Sequence, residues 1–202
     1  MSFLEKSFKV EEKIISSELA EFITNYFLLK KEVHTTLMST GYISSHTLLW
    51  GTYDDMQIPD SYSHYADIAM ETLLKKVQPS LQDLVGLELV PTYSYARIYK
   101  KGDVLKRHKD RESCEISCTM NLGGDKWPIF IKGKDQKEYE VVLNPGDILI
   151  YRGHDLEHWR EEFTGDCCVQ VFLHYNDVNS EFGEANLNDG RLHLGLPKDI
   201  CK

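Results

Sequence analysis

The 202-residue chain has no long apolar run. A helix that crosses a bilayer needs about 20 consecutive apolar residues, so no membrane span and no membrane partner are expected. The opening segment MSFLEKSFKVEEK is charged and lacks the apolar centre of a secretory signal. It predicts a cytoplasmic protein. Positive charge is also scarce: 23 Lys and Arg stand against 32 Asp and Glu, a net charge of −9 without a basic cluster. Phosphate backbones are bound by basic faces, so a nucleic-acid partner is not expected. Cysteine is limited to five residues, an odd number that includes the adjacent pair Cys167–Cys168. That usage speaks against a disulfide framework and for reduced thiols. Cys114 and Cys118 are four apart, which is not the spacing of a zinc hook. No internal repeat or low-complexity tract is present, and nothing in the chain marks its oligomeric state.

What remains is an ordinary globular composition, 42% hydrophobic and 27% charged. The length is enough to bury a core without staples. Residues 16–31 read as an amphipathic helix, capped by Ser16 or Ser17, with Leu19, Phe22, Ile23, Tyr26 and Phe27 on one face. Residues 41–60 read as extended, ending in a turn at Pro59–Asp60. A second helix is expected over 61–78 and is expected to stop at Pro79, with a short helix over 80–85.

From residue 87 the pattern turns to short apolar runs rich in β-formers. These are LELVPTYSYARIY, CEISCTMNL, WPIFIK, EYEVVL, DILIYR and CCVQVFLHY. Gly123–Gly124, Gly133, Asn144–Pro145–Gly146 and Gly165–Asp166 separate them. Strands at that spacing predict a β-sandwich or barrel. The expected organisation is one structural unit: a helical and extended layer over 1–86, a β core over 87–175, and a polar tail or flap over 176–202. The fold class is α+β, mainly β with N-terminal helices.

His108-Lys109-Asp110 follows the turn at Lys101–Gly102–Asp103. In an extended segment, residues i and i+2 point the same way, so an imidazole and a carboxylate can meet one ion. A lone His-x-Asp is a weak motif. A third ligand has to come from a distant strand, and the turn Asn144–Asp147, the strand Ile148–Tyr151 and the histidines at 154 and 158 supply that order. His154 and His158 compete for the place. Their spacing of four suits a helical zinc pair, but Asp155 stands where the metalloprotease motif needs Glu, and Gly153 disfavours a helix. His158 is therefore the preferred third ligand. Two histidines and one carboxylate leave open positions on iron(II) for an oxidant and a co-substrate. His34, His46, His64 and His193 carry no metal role in this reading. His174 shares parity with Gln170 and Phe172, and a core histidine is its first reading.

The run Arg97-Ile98-Tyr99-Lys100-Lys101-Gly102-Asp103, then His108-Lys109-Asp110, then Pro145-Gly146-Asp147-Ile148-Leu149-Ile150-Tyr151, then His158 resembles the iron(II)/2-oxoglutarate dioxygenases. Within them it is similar to the prolyl 4-hydroxylase-like group. The resemblance covers about residues 90–175. It implies a double-stranded β-helix, a cupin-like jelly roll, with iron(II) on His108, Asp110 and His158. It also implies 2-oxoglutarate as co-substrate, O2 as oxidant and room for ascorbate as an accessory reductant. The substrate would be a protein or peptide side chain, or a small molecule. Tyr99 would line the co-substrate pocket and Asn121 would meet the co-substrate from the next strand.

One departure stands out. The group places an Arg or Lys nine to twelve residues after the distal histidine, and here that window holds Cys167, Cys168, Val169 and Gln170. A dicarboxylate in a dry pocket needs a cationic partner. Arg97, which shares parity with Tyr99, is the first candidate. Arg160, two residues beyond His158, is the second, and Gln170 offers a hydrogen bond. The missing basic residue keeps two other readings open: a cupin-like metalloprotein that does not use 2-oxoglutarate, and a non-catalytic jelly-roll binding module.

Overall fold

The structure is a computed structural model that describes residues 3–44 and 47–198; His46 and Cys201 lie outside them. Among the described residues, ten strands form two antiparallel sheets. The larger holds β1 (Phe8–Glu11), β8 (Ile148–Tyr151), β5 (Ile116–Gly124), β10 (Cys167–Asp177), β3 (Leu89–Lys100) and β2 (Ser63–Tyr65), in that order. The smaller holds β4 (Leu105–His108), β9 (His158–Arg160), β6 (Ile129–Lys132) and β7 (Glu138–Val141). From β3 to β10 the chain passes repeatedly between the two sheets, so neighbours in space are distant in sequence.

Alternation sorts the long strands. Ala96 and Ile98 of β3, Cys118, Met120 and Leu122 of β5, and Val169, Val171 and Leu173 of β10 face the helices and form the main core. The opposite parity, from Tyr93 to Tyr99 on β3 and from Ser117 to Asn121 on β5, faces the space between the sheets. That face carries most of the polar chemistry.

Two long helices cover the outer face of the larger sheet. Helix α2 (Ser17–Ser39) follows a short N-terminal turn of helix, α1 (Phe3–Lys6). Ser16 caps it by accepting from the Leu19 amide at 3.2 Å, and Ala20, Ile23 and Phe27 form its buried face. It runs two turns beyond the expected end at residue 31. Helix α3 (Ile68–Val85) differs more from expectation. It starts at residue 68, because Ser63–Tyr65 pair with β3 instead and Asp67 is the cap, accepting from the Ala69 and Met70 amides at 2.9 and 3.1 Å. Pro79 does not end it. The proline lies on the exposed side, while Val77, Leu81 and Val85 stay buried to either side. Packing on the sheet outweighs the lost amide hydrogen bond, a local cost of about 3 kcal/mol. Gly86, with φ of 69°, ends the helix in the left-handed conformation that glycine adopts freely.

Residues 47–62 are irregular rather than extended, with one 3-10 turn at Leu48–Trp50 and a bridge from Thr52 to Ser63. The segment after β10 contains only 3-10 turns over Glu184–Gly190, yet it is pinned to the body. Arg191 is buried against Glu71 of α3 at 2.8 Å. No helix among the described residues is long and apolar enough to cross a membrane.

Candidate functional site

Strands β4 and β9 pair so that His108 stands opposite His158, with ring centroids 4.3 Å apart. Asp110 follows β4, and its amide donates to the Gly153 carbonyl at 2.9 Å. Among the described residues, His108, Asp110 and His158 form the one group of His, Cys, Asp or Glu side chains with metal-ligand geometry; their ligand atoms lie within 4.8 Å of one another. His154 is not in the group and packs on the ring of Phe182 instead, 5.5 Å between centroids. His34, His64 and His193 are also outside it.

The orientation of each ligand is set by a neighbour. His108 Nδ1 lies 2.7 Å from the Lys106 carbonyl and His158 Nδ1 lies 3.1 Å from the Leu156 carbonyl. A carbonyl can only accept, so each Nδ1 carries a proton and donates it, which turns each Nε2 toward the place of a metal. Both Nε2 atoms face Asp110 Oδ1, at 3.6 and 3.4 Å. Ser117 Oγ donates to the other carboxylate oxygen at 2.6 Å. Burial alone would raise the Asp110 pKa. The two imidazoles outweigh it and hold the carboxyl well below its usual range. The same carboxylate raises His108, against the opposing effect of burial. Two imidazoles and a carboxylate converging on one point are a fitting donor set for a divalent iron.

Gly153 makes that packing possible. A Cβ there would collide with Asp110 Oδ2 and Ser117 Oγ. His174 lines the same cavity and meets Ser117 Oγ through Nδ1 at 3.1 Å. Burial pushes its pKa down to about 4, so at neutral pH it is an uncharged hydrogen-bond partner.

The cavity beside these groups is about 310 Å³. Its walls include Tyr93, Tyr95, Tyr99, Tyr151 and Phe172. Arg97 opens onto it, and its guanidinium is paired with the Asp55 carboxylate. Gln57 joins the two ends of the mouth: its Oε1 accepts from Arg97 at 3.3 Å and its Nε2 lies 3.3 Å from His108 Nε2. Tyr99 is fully buried, edge-on to Trp127 at 4.7 Å, and its hydroxyl lies 3.4 Å from Arg97.

Arg160 lies deeper, 1% exposed, and does not line the cavity. It donates to the Trp127 carbonyl and reaches Thr119 Oγ1 and Gln170 Oε1 at 3.4 Å each. Its Nε has no hydrogen-bond partner, and no carboxylate among the described residues pairs with it. Gln170 therefore supports Arg160, and its amide nitrogen turns to Cys168 Sγ. Asn121 is tied to the Leu143 carbonyl at 2.8 Å and does not line the cavity.

Asp55, Gln57 and Ser117 were not singled out from the sequence, and Gly153 entered only as a helix breaker. Ser117 was readable in principle, since it shares parity with Thr119 and Asn121. Asp55 and Gln57 sit in an irregular segment with no periodic signal.

No family model matches the chain, and no curated protein matches it. Solved structures do resemble it. A Pseudomonas putida prolyl-4-hydroxylase aligns with a TM-score of 0.63 at 12% identity, over 87% of this chain and 95% of that one. HygX from Streptomyces hygroscopicus, solved with nickel and 2-oxoglutarate, aligns with a TM-score of 0.59 at 12% identity, over 88% and 85%. EctD from S. alaskensis, solved with bound Fe, aligns with a TM-score of 0.60 at 15% identity, over 96% and 84%. At these identities the likeness is one of fold. The chain has a mixed α/β fold that resembles the folds of these solved structures.

Proposed function

We propose that this protein is an iron(II)- and 2-oxoglutarate-dependent oxygenase, built on a double-stranded β-helix, that hydroxylates its substrate. The carrying observation is the convergence of His108 Nε2, His158 Nε2 and one oxygen of Asp110, each oriented by its own hydrogen bond. Iron(II) held there with 2-oxoglutarate and O2 supplies oxidative decarboxylation to succinate and CO2, coupled to oxidation of a C–H bond.

The residues divide the work. His108, Asp110 and His158 hold the metal from one side. Ser117 keeps Asp110 from rotating. Arg160 is the anchor we assign to the far carboxylate of 2-oxoglutarate. Arg97 and Arg160 exchange their expected order on account of their partners: Arg97 already bears a carboxylate, and Arg160 bears none. Burial lowers the proton affinity of Arg160, yet a guanidinium stays charged in proteins. A buried cation without a counter-charge is expensive, and an incoming carboxylate removes that cost. Spacing agrees. Arg160 is two residues along β9 from His158, so both side chains leave the same face of the strand. Tyr99 lies between Arg97 and Arg160, and burial keeps its phenol protonated, so it can donate to the same ligand. Trp127, Leu105 and Ile129 keep this region dry, which strengthens any salt link made in it.

The test is spectroscopic. Anaerobic addition of iron(II) and then 2-oxoglutarate is expected to give a weak visible charge-transfer band that needs both additions, and Asp110→Ala is expected to lose it. Bound iron without the band would favour the cupin-like reading without 2-oxoglutarate. No iron uptake would favour a non-catalytic module.

A further inference from the structure

We propose that Arg97 and Tyr95 form a carboxylate-recognition site for the primary substrate, a small carboxylic acid, and that Asp55 holds this site until the acid displaces it. The inference rests on the oxygenase reading for the place of reaction and adds a substrate class to it.

The site is built around a carboxylate already. Arg97 is 2% exposed. Its Nη2 holds the Asp55 carboxylate, and Tyr95 donates its hydroxyl to the same oxygen. Nε of Arg97 is buried without a partner, so the guanidinium has a donor to spare. The two sides of the pair differ in what separation costs. Asp55 comes from the irregular segment 51–62, and its side chain is 19% exposed. It can turn outward and be hydrated. Arg97 is fixed on the twelve-residue strand β3, between β2 and β10. It cannot follow, and a lone buried cation is costly. Departure of Asp55 is therefore favourable only when another carboxylate replaces it. The pair acts as a filter for that group.

Position gives the site its role. Asp55, Tyr95 and Arg97 line the same cavity as His108, Asp110 and His158. A single amide, that of Gln57, bridges Arg97 to His108. A molecule seated by its carboxylate on Arg97 has its carbon skeleton beside the metal ligands, flanked by Tyr93 and Phe172. The cavity is at the small end of ligand sites, which run from about 300 to 1,000 Å³. It suits a small acid with an apolar or aromatic body.

Benzoate, with benzamide as its uncharged counterpart, is the probe. Binding is measured by calorimetry on protein loaded with nickel(II) and 2-oxoglutarate. Asp55→Ala is expected to bind benzoate roughly tenfold more tightly than the wild type, a difference of about 1.4 kcal/mol, and benzamide is expected to gain nothing. Benzoate is also expected to raise the melting temperature of Asp55→Ala more than that of the wild type. Arg97→Gln is expected to lose benzoate while keeping its affinity for nickel and 2-oxoglutarate. Equal benzoate affinity in the wild type and Asp55→Ala, or no binding to either, overturns the proposal. Loss of 2-oxoglutarate affinity in Arg97→Gln also overturns it, because Arg97 would then be the co-substrate anchor and the oxygenase reading would stand. If wild-type protein takes up nickel but no 2-oxoglutarate, the oxygenase reading falls. The Asp55→Ala comparison, read on the nickel form, still decides the carboxylate site. Should Arg97→Gln fail to fold, Arg97→Lys and the melting shift of Asp55→Ala carry the test.

Discussion

Two buried arginines show how differently this molecule treats charge in its two halves. Arg191, under the C-terminal segment, meets both oxygens of Glu71 at 2.8 and 3.3 Å and donates to the carbonyls of Thr92, Leu196 and Asn188. Glu71 in turn accepts from the amides of Ser94 and Gly195. Every strong donor there has an acceptor, and the network ties α3, β3 and the segment after β10 together. Arg160, between the sheets, has two contacts at 3.4 Å, one carbonyl, one orphaned nitrogen and no carboxylate. The first arrangement is complete without anything else. The second is left open, as the anchor we propose for an anion would be. Under the proposed function the closed network is structural, and the open one of equal burial is where the co-substrate binds.

The contrast is broken most severely at its closed end. Glu71→Gln leaves Arg191 charged, buried and unpaired. That is expected to cost about 3–5 kcal/mol, a fall of roughly 10 °C in melting temperature for a chain of this size. The affinity for 2-oxoglutarate in whatever folds is expected to hold. A melting point within a degree or two of the wild type would show that the C-terminal segment is only loosely docked.

Arg160→Met is the mirror experiment. Methionine fills similar space and removes an unpaired cation, so the melting temperature is expected to move little. The requirement for 2-oxoglutarate is expected to rise about 100-fold, or about 2.7 kcal/mol. Succinate formation against 2-oxoglutarate concentration measures it. A melting loss like that of Glu71→Gln, with an unchanged requirement, would make Arg160 a structural residue.

Asp67 tests the closed type by pH. Its side chain is fully buried and bound by Lys30, Tyr26 and His64. Burial alone would raise its pKa; the hydrogen bonds and the Lys30 charge outweigh that and hold it far below the carboxylate range. A depressed folded pKa means that the stabilisation is present above the unfolded value, near 3.9, and is lost as pH falls through the folded one. Asn keeps the helix cap, so Asp67→Asn isolates the charge. The wild type is expected to be more stable by about 2 kcal/mol at neutral pH. The gap is expected to close below about pH 4. A gap that does not change with pH would mean that shape, not charge, holds α2 to α3.

Long elements were legible from the sequence and short ones were not. Strands β3, β5 and β10 show alternation over nine residues or more, and their parity separates the helix-facing core from the polar interior. Strands β4 and β9 are four and three residues long, too short for a period. Yet they carry His108 and His158, which were found through motif order instead. Pro79 misled the reading of α3 because its break is local, whereas the packing that overrides it is tertiary. The order we propose for Arg97 and Arg160 has no sequence signal of its own. It depends on Asp55, which lies 42 residues from Arg97 in an irregular segment and reaches it only in three dimensions.

The smallest expected effect lies at the join between the metal ligands and their support. Ser117 has one hydroxyl proton and three neighbours: Asp110 Oδ2 at 2.6 Å, the Cys114 carbonyl at 3.1 Å and His174 Nδ1 at 3.1 Å. The proton goes to the carboxylate, the charged and nearest acceptor, and neutral His174 donates to Ser117 in turn. Ser117→Ala removes this prop without touching a ligand atom. Asp110 then keeps its backbone tie to Gly153 and its contacts with the two imidazoles, but Oδ2 loses the Ser117 donor that fixes its rotation. Nickel titration is expected to show about tenfold weaker binding, the size typical of residues that orient metal ligands. The melting temperature without metal is expected to change less than with Glu71→Gln. Unchanged affinity would mean that the glycine floor at Gly153 alone aims Asp110. The open region would then be held by backbone, as the closed one is held by charge.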